Sequence, residues 1–188
     1  MYFKKGIELG LRITYGDRTY SDFEFTLLGN LHFEGIGPME FLCDFIPQSY
    51  NQEVINIFKD WDNNNPIHWQ SLPVKMRNAW LVACLYWSGL PKQLKKDSFV
   101  VQGPLVKDEP DFYCLMGEVF FGERGYFGQD LDGLDDCMVG FSGGQSQNPT
   151  VTFKDSDRLM KTLENTREKY FETIVKIFEM HNFKVNIQ

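Results

Sequence analysis

The sequence predicts an α/β C-terminal half, a small three-stranded parallel sheet with helices, preceded by an α+β N-terminal domain. Three observations lead there. The second half of the chain alternates short apolar runs with helix-period segments in the order β-α-α-β-α-α-β, and a helical connection between every pair of strands makes them parallel. The first half opens on period-two alternation and only then turns to helical spacing. Between the two lies Ser88-Gly89-Leu90-Pro91-Lys92-Gln93-Leu94-Lys95-Lys96, with the Gly, Pro and Lys content of a linker. The expected division is residues 1–92, a domain of unassigned role, and residues 97–188. At 188 residues with 43% apolar and 15% aromatic content, the chain has the material for a packed core.

In the first half, Ile7, Leu9, Leu11, Ile13 and Tyr15 occupy alternate positions, and Phe23, Phe25 and Leu27 do the same. Both runs read as strands, with Tyr15-Gly16-Asp17-Arg18 as the turn between them. Gln52–Trp61 and Pro73–Trp87 are helix candidates, and Pro73 suits a first helical turn. The second is apolar on most faces through Met76, Trp80, Val82, Ala83, Cys84 and Trp87, which predicts burial. Asp62-Asn63-Asn64-Asn65-Pro66 between them is turn-rich. Trp61, Trp69, Trp80 and Trp87 read as core residues, with Trp69 beside His68 the best candidate for an exposed contact.

In the second half, Ser98–Gln102 is a short apolar strand. Glu109–Phe120 is a helix candidate with Phe112, Leu115, Met116 and Val119 on one face. Gly122–Gly128 is a glycine-rich loop, followed by a helix over Asp130–Phe141. Thr150–Phe153 is a strand opening after Pro149. Asp155–Leu163 is a helix with Asp155 as N-cap. Glu168–His181 carries Phe171, Ile174, Val175 and Phe178 at helical spacing, and Phe183–Ile187 is the last strand.

Charge is unevenly placed. Residues 1–96 hold 10 basic and 10 acidic side chains; residues 97–188 hold 9 basic and 16 acidic, so the whole net charge of -7 belongs to the second half. An acidic half-molecule repels nucleic acid and attracts basic surfaces, which argues against direct nucleic-acid binding. No run of about 18 apolar residues is present to span a membrane, and Met1-Tyr2-Phe3-Lys4-Lys5-Gly6 lacks the apolar core of a signal peptide, so a cytoplasmic location is expected. Cys43, Cys84, Cys114 and Cys137 form no CxxC pair and no zinc-type grouping with His32, His68 and His181. They are expected to be reduced and mostly buried. No Ser-His-Asp or Cys-His grouping presents itself, so no enzyme activity and no cofactor are expected.

The densest feature is Gly125-Tyr126-Phe127-Gly128-Gln129-Asp130-Leu131-Asp132-Gly133-Leu134-Asp135-Asp136-Cys137, with four aspartates in seven residues. With a helix starting at Asp130, Asp132, Asp135 and Asp136 fall at i, i+3 and i+4 on a shared face. Asp130 and Asp132 suit the cap and first turn. Asp135 and Asp136 lie deeper, where like charges repel by a few tenths of a kcal/mol per pair. A solvated, well-capped acidic face, a metal site, and a surface presented to something cationic are all open readings. Against the metal, Gly133 and Leu134 stand where a calcium loop needs its third ligand and its glycine, and a helix is the wrong geometry. Against phosphate, the Gly122–Gly128 loop has no Lys-Ser/Thr ending and leads into four carboxylates.

This segment resembles the barstar-family motif, roughly Y-[YF]-G-x-N-L-D-A-L-x-D-C. Asp108-Glu109-Pro110-Asp111-Phe112-Tyr113, Gly117-Glu118 and Pro149-Thr150-Val151-Thr152-Phe153-Lys154-Asp155-Ser156 resemble a subgroup of the same family. The likeness covers about Asp97 to Gln188. It implies a small parallel sheet with helices and a protein that binds a ribonuclease and blocks its active site, as an immunity protein does against a ribonuclease toxin. It implies a partner-binding surface of Tyr126, Gly128, Asp130, Leu131, Asp132, Asp135, Asp136 and Glu179. Within it, the aspartate matching Asp136 enters among the nuclease's phosphate-binding cations, and the glycine matching Gly128 lets the partner's backbone approach. The chemistry is sound, because a ribonuclease must hold a phosphodiester with Arg, Lys and His, and fixed carboxylates can mimic that substrate. Asp130 departs from the motif's Asn, and Asp135 stands where the best-known member has a tryptophan. Glu179 is the nearest counterpart of a late-helix binding glutamate, one residue out of register beside Met180. A regulator of a host nuclease and a generic protein-interaction module are the alternatives. Residues 1–92 resemble no family and could widen the inhibitor's footprint, bind a second part of a toxin, or mediate dimerisation.

Overall fold

The computed structural model describes residues 2–15, 18–32, 43–44, 51–63, 65, 67–91, 93–141 and 148–188. The chain divides into two compact units, Met1–Gln52 and Glu53–Gln188.

The first unit, among its described residues, is built of antiparallel strands. β1 (Tyr2–Phe3) pairs with β4 (Leu31–His32), placing Phe3 opposite Leu31. β2 (Glu8–Tyr15) and β3 (Arg18–Leu27) form the long pair that the alternation predicts, running from Glu8 opposite Thr26 to Tyr15 opposite Arg18. The register slips between Ile13 and Thr14, a bulge that strict alternation does not anticipate. β5 (Cys43–Asp44) adds to the end of β3. Phe25, Leu27 and Leu31 are buried together, with Phe3 and Leu9 packed on them. Gly16 and Asp17 of the expected turn, and Asn64 and Pro66 of the later loop, lie outside the described residues.

The second unit opens with α1 (Gln52–Asp62), a 3-10 turn at Trp69–Ser71, and α2 (Val74–Ser88). There follow β6 (Ser98–Gln102), α3 (Glu109–Phe121), α4 (Leu131–Val139), β7 (Thr150–Lys154), α5 (Ser156–Glu164), α6 (Tyr170–Met180) and β8 (Lys184–Ile187). The sheet order is β6-β7-β8 and both pairings are parallel, as predicted. Phe99 lies opposite Val151 and Val101 opposite Phe153. These inward residues meet the apolar faces of the helices: Phe99 stacks on Phe120 of α3 at 4.0 Å, and Phe153 meets Phe171 and Phe178 of α6 edge-on at 5.2 and 5.9 Å. Offset and edge-on ring pairs of this kind add to area burial.

The unit boundary lies at Gln52/Glu53, some forty residues before the 92/97 break read from the sequence. The reason is that α2 carries a buried cation. Arg77 sits at 4% exposure with its guanidinium on Asp111 of α3 and 3.3 Å from Asp108, the α3 N-cap. Trp69 is buried, in line with the core reading of the tryptophans and against its alternative as an exposed contact, and its Nε1 donates to Glu118 of α3 at 3.0 Å. Asp155 holds the N-cap position of α5, but in the left-handed region at φ 51 and without a side-chain cap bond. Cys84, Cys114 and Cys137 are free and buried, and burial raises all three thiols above the ordinary cysteine range.

Candidate functional site

The acidic segment is a loop and a helix held from three sides. α3 ends at Gly122, and the chain reverses onto the helix it has just left. A Cβ built on Gly117 would lie 2.2 Å from the Gly125 carbonyl oxygen, and one on Gly125 would lie 2.3 Å from that of Gly117, so neither position admits a side chain. Phe127 is then driven into the core against Phe120 at 4.5 Å, Phe121 at 5.3 Å and Phe141 at 5.7 Å. Gly128 follows at φ +88, the left-handed region that favours glycine. A Cβ there would meet Leu134 N at 2.6 Å and Gly133 C at 2.8 Å. The need for glycine at 128 is therefore set within this chain, by close approach to its own α4. The Gly128 N–H also bonds the Cys137 sulfur; burial, the larger effect, still pushes that thiol up to about 11.

Asp130 is the N-cap of α4, accepting from the Gly133 N–H at 2.7 Å, as expected. Such a cap contributes about 1 kcal/mol. Tyr126 is 5% exposed, and burial pushes its hydroxyl up to about 12, helped by Cys137, Asp130 and Asp136. Asp132 and Asp136, one helical turn apart, both face solvent. Asp135 is turned aside, with its Oδ1 2.5 Å from His181 Nε2 at the end of α6. The shared acidic face is thus a pair, Asp132 and Asp136, with the third carboxylate engaged by a histidine. Leu131 is half-buried, and Glu179 is exposed on the last turn of α6. Val139 and Met180, at 57% and 66% exposure, end the two helices with apolar side chains.

Four groups that support this arrangement were not singled out in the sequence. Arg77 and Arg124 each bring a cation to the helical layer, His181 holds Asp135, and the Gly117–Gly125 contact folds the loop back. The available signal was Arg77 beside the long apolar run of its helix, because a cation that such a run buries needs a carboxylate nearby. Among the described residues no group of three or more His, Cys, Asp or Glu side chains could hold a metal ion, and no helix is long and apolar enough to cross a membrane.

Gly128→Ala is expected to lower stability by roughly 1–3 kcal/mol, from left-handed strain plus contact with the α4 backbone. Urea unfolding checks this; an unchanged midpoint would show that the loop relaxes freely.

The site is thus a capped acidic helix that follows a buried aromatic loop in a domain built on a three-stranded parallel sheet. Residues 97–187 match the family model Barstar, described as Barstar (barnase inhibitor), so the C-terminal half of the chain carries a domain of that family. Neither the curated proteins nor the solved structures contain a match.

Proposed function

We propose that this chain is an immunity protein that binds a ribonuclease toxin and blocks its basic active site with α4. The observation that carries the reading is the pair Asp132 and Asp136, solvent-facing on a rigidly held helix within the segment that matches an inhibitor family. A helix whose backbone is pinned by Gly128, Phe127 and Asp130 presents its carboxylates without loss of loop entropy on binding, and preorganisation of that kind raises affinity. Two carboxylates a turn apart suit neighbouring phosphate-binding cations. The chain acts in the cytoplasm of the cell that makes it, as a binder and not an enzyme, with the toxin's catalytic cations as its target.

An RNA-cleavage assay tests the reading. The chain is titrated against barnase and against the basic ribonuclease it captures from its own cells. Stoichiometric loss of cleavage is expected with at least one of them; undiminished cleavage with both, or cleavage of RNA by the chain itself, rejects it.

Charge also sets the kinetics. With the net charge of -7 concentrated in residues 97–188, the association rate is expected to fall by roughly tenfold or more from low to high salt, as for other steered encounters. Stopped-flow rates flat across that range would remove steering from the mechanism.

A further inference from the structure

We infer that α1 and α2, which lie outside the matched family segment, brace the inhibitory loop, and that Arg124 is the positioning residue of that brace. This rests on the proposed function for what the loop does, but the brace itself is a property of the chain. Arg124 is the only cation between residues 108 and 153. Steering and substrate mimicry give it no place, because it subtracts charge from the acidic segment. Its side chain is withdrawn instead. The guanidinium carbon lies 4.8 Å from the Trp61 ring and 4.8 Å from the Trp87 ring, with the side chain 22% exposed. The two tryptophans form a rigid pair, 5.2 Å apart and edge to face, and Trp61 meets Trp80 in the same way at 5.0 Å. One ring comes from α1 and the others from α2, so the guanidinium is seated where these helices converge.

Arg124 itself adopts φ 61, a left-handed conformation uncommon for a non-glycine residue and costly unless its surroundings compensate. A planar cation held by two indole rings is such a compensation. Two further ties surround the same element. Glu118, one turn before the end of α3, accepts from Trp69 Nε1 and lies 3.3 Å from His68 Nε2. Beyond α4, a Cβ on Gly140 would come 3.1 Å from the Pro91 carbonyl oxygen, so the chain leaving α2 abuts the far end of the acidic helix. Between Arg124 and Asp132 the chain runs through the tight Gly125, buried Phe127 and Gly128, leaving little freedom to absorb a shift.

Amide hydrogen exchange on the full chain decides the matter, comparing Arg124→Ala, Arg124→Lys and the milder Trp87→Phe. Arg124→Ala is expected to speed exchange in residues 122–131 at least tenfold, while β6, β7 and β8 keep their protection. Arg124→Lys, which keeps the charge without the planar stack, is expected to restore part of the protection, and Trp87→Phe to lose part of it. Binding is read with barnase as the probe: Arg124→Ala should raise the dissociation rate about tenfold and leave the association rate within about twofold. Unchanged exchange in 122–131 overturns the proposal. So does a rise spread evenly over the sheet, which would mark Arg124 as merely structural. Should Arg124→Ala fail to fold, Trp87→Phe against the parent protein gives the same decision. Failure of the parent protein to inhibit any ribonuclease counts against the proposed function alone, since the exchange comparison stands without a partner.

Discussion

Asp136→Ala is expected to weaken binding to the ribonuclease by about 3–7 kcal/mol while leaving the fold intact. The magnitude is that of close charge pairs in the barnase–barstar complex. The selectivity follows from the geometry. Asp136 is exposed and caps nothing, and among the described residues no hydrogen bond or ion pair reaches it. Its removal therefore costs the free protein little, and relief of repulsion with Asp132 returns a few tenths of a kcal/mol. In the proposed complex its loss would leave the partner's cations desolvated and unpaired. Asp132→Ala is expected to cost less, about 1–4 kcal/mol, because it lies nearer the helix start where a partner encloses it less. Asp135→Ala acts as the internal contrast, since its carboxylate holds His181 and its loss should register in stability. Titration calorimetry with thermal melts on the same variants settles this: unchanged affinity for Asp136→Ala, or a loss explained by unfolding, takes Asp136 out of the site.

Arg77→Met carries the second large effect, on stability. Asp111 is 1% exposed; burial pushes its carboxyl above the ordinary aspartate range, while the Lys107 N–H and the Arg77 cation pull it back. It accepts from Lys107 N at 3.0 Å, and Asp108 accepts from Asp111 N at 2.9 Å, so both carboxylates that face the guanidinium are also tied to the backbone at the start of α3. Removing one partner of a buried ion pair typically costs 3–5 kcal/mol, and a loss of about that size is expected here. The pH dependence follows in sign. A carboxyl whose folded value is raised binds its proton more tightly in the native state, so its contribution to stability falls as pH rises from the unfolded aspartate value through the raised folded one. Without Arg77 the folded value rises further, and the variant should lose more stability between mildly acidic and neutral pH than the parent protein does. Urea unfolding across that range checks it; parallel curves would mean that Arg77 and Asp111 are not coupled. The same bridge bears on a fragment starting at Asp97. It keeps Asp108 and Asp111 but lacks their cation, and is expected to be markedly less stable than one starting at Glu53.

The positions that could be read from the chain are those where local pattern and tertiary environment agree. α3 is buried over most of its length and α6 along one face, Tyr170, Phe171, Ile174, Ile177 and Phe178, so the presence and approximate extent of both follow from the spacing of apolar residues. Asp130 was legible as a cap because capping is a contact three residues long. Trp69 was not, since an exposed and a buried tryptophan look alike until Glu118 is brought to it across 49 residues. The compact unit that begins at Glu53 depends on a contact of the same long range. Gly89 and Pro91 do interrupt the chain, but a local break says nothing about a salt bridge that reaches across it from Arg77 to Asp111.

What the sequence determined by itself was the order of elements in residues 97–188, the parallel sheet, the concentration of negative charge in that half and the start of the acidic helix. These depend on spacing, caps and composition, which act within a few residues. Tertiary structure alone decided which carboxylates stay free. Asp135 and Asp136 are neighbours in the chain, yet about 100° of helical rotation turns one onto His181 and leaves the other in solvent. It alone assigned α1 and α2 to the second unit, and it alone seated Arg124 between Trp61 and Trp87. Each of these is a pairing of charge with a distant group, and a buried or half-buried charge finds its partner through the fold and not through proximity in sequence.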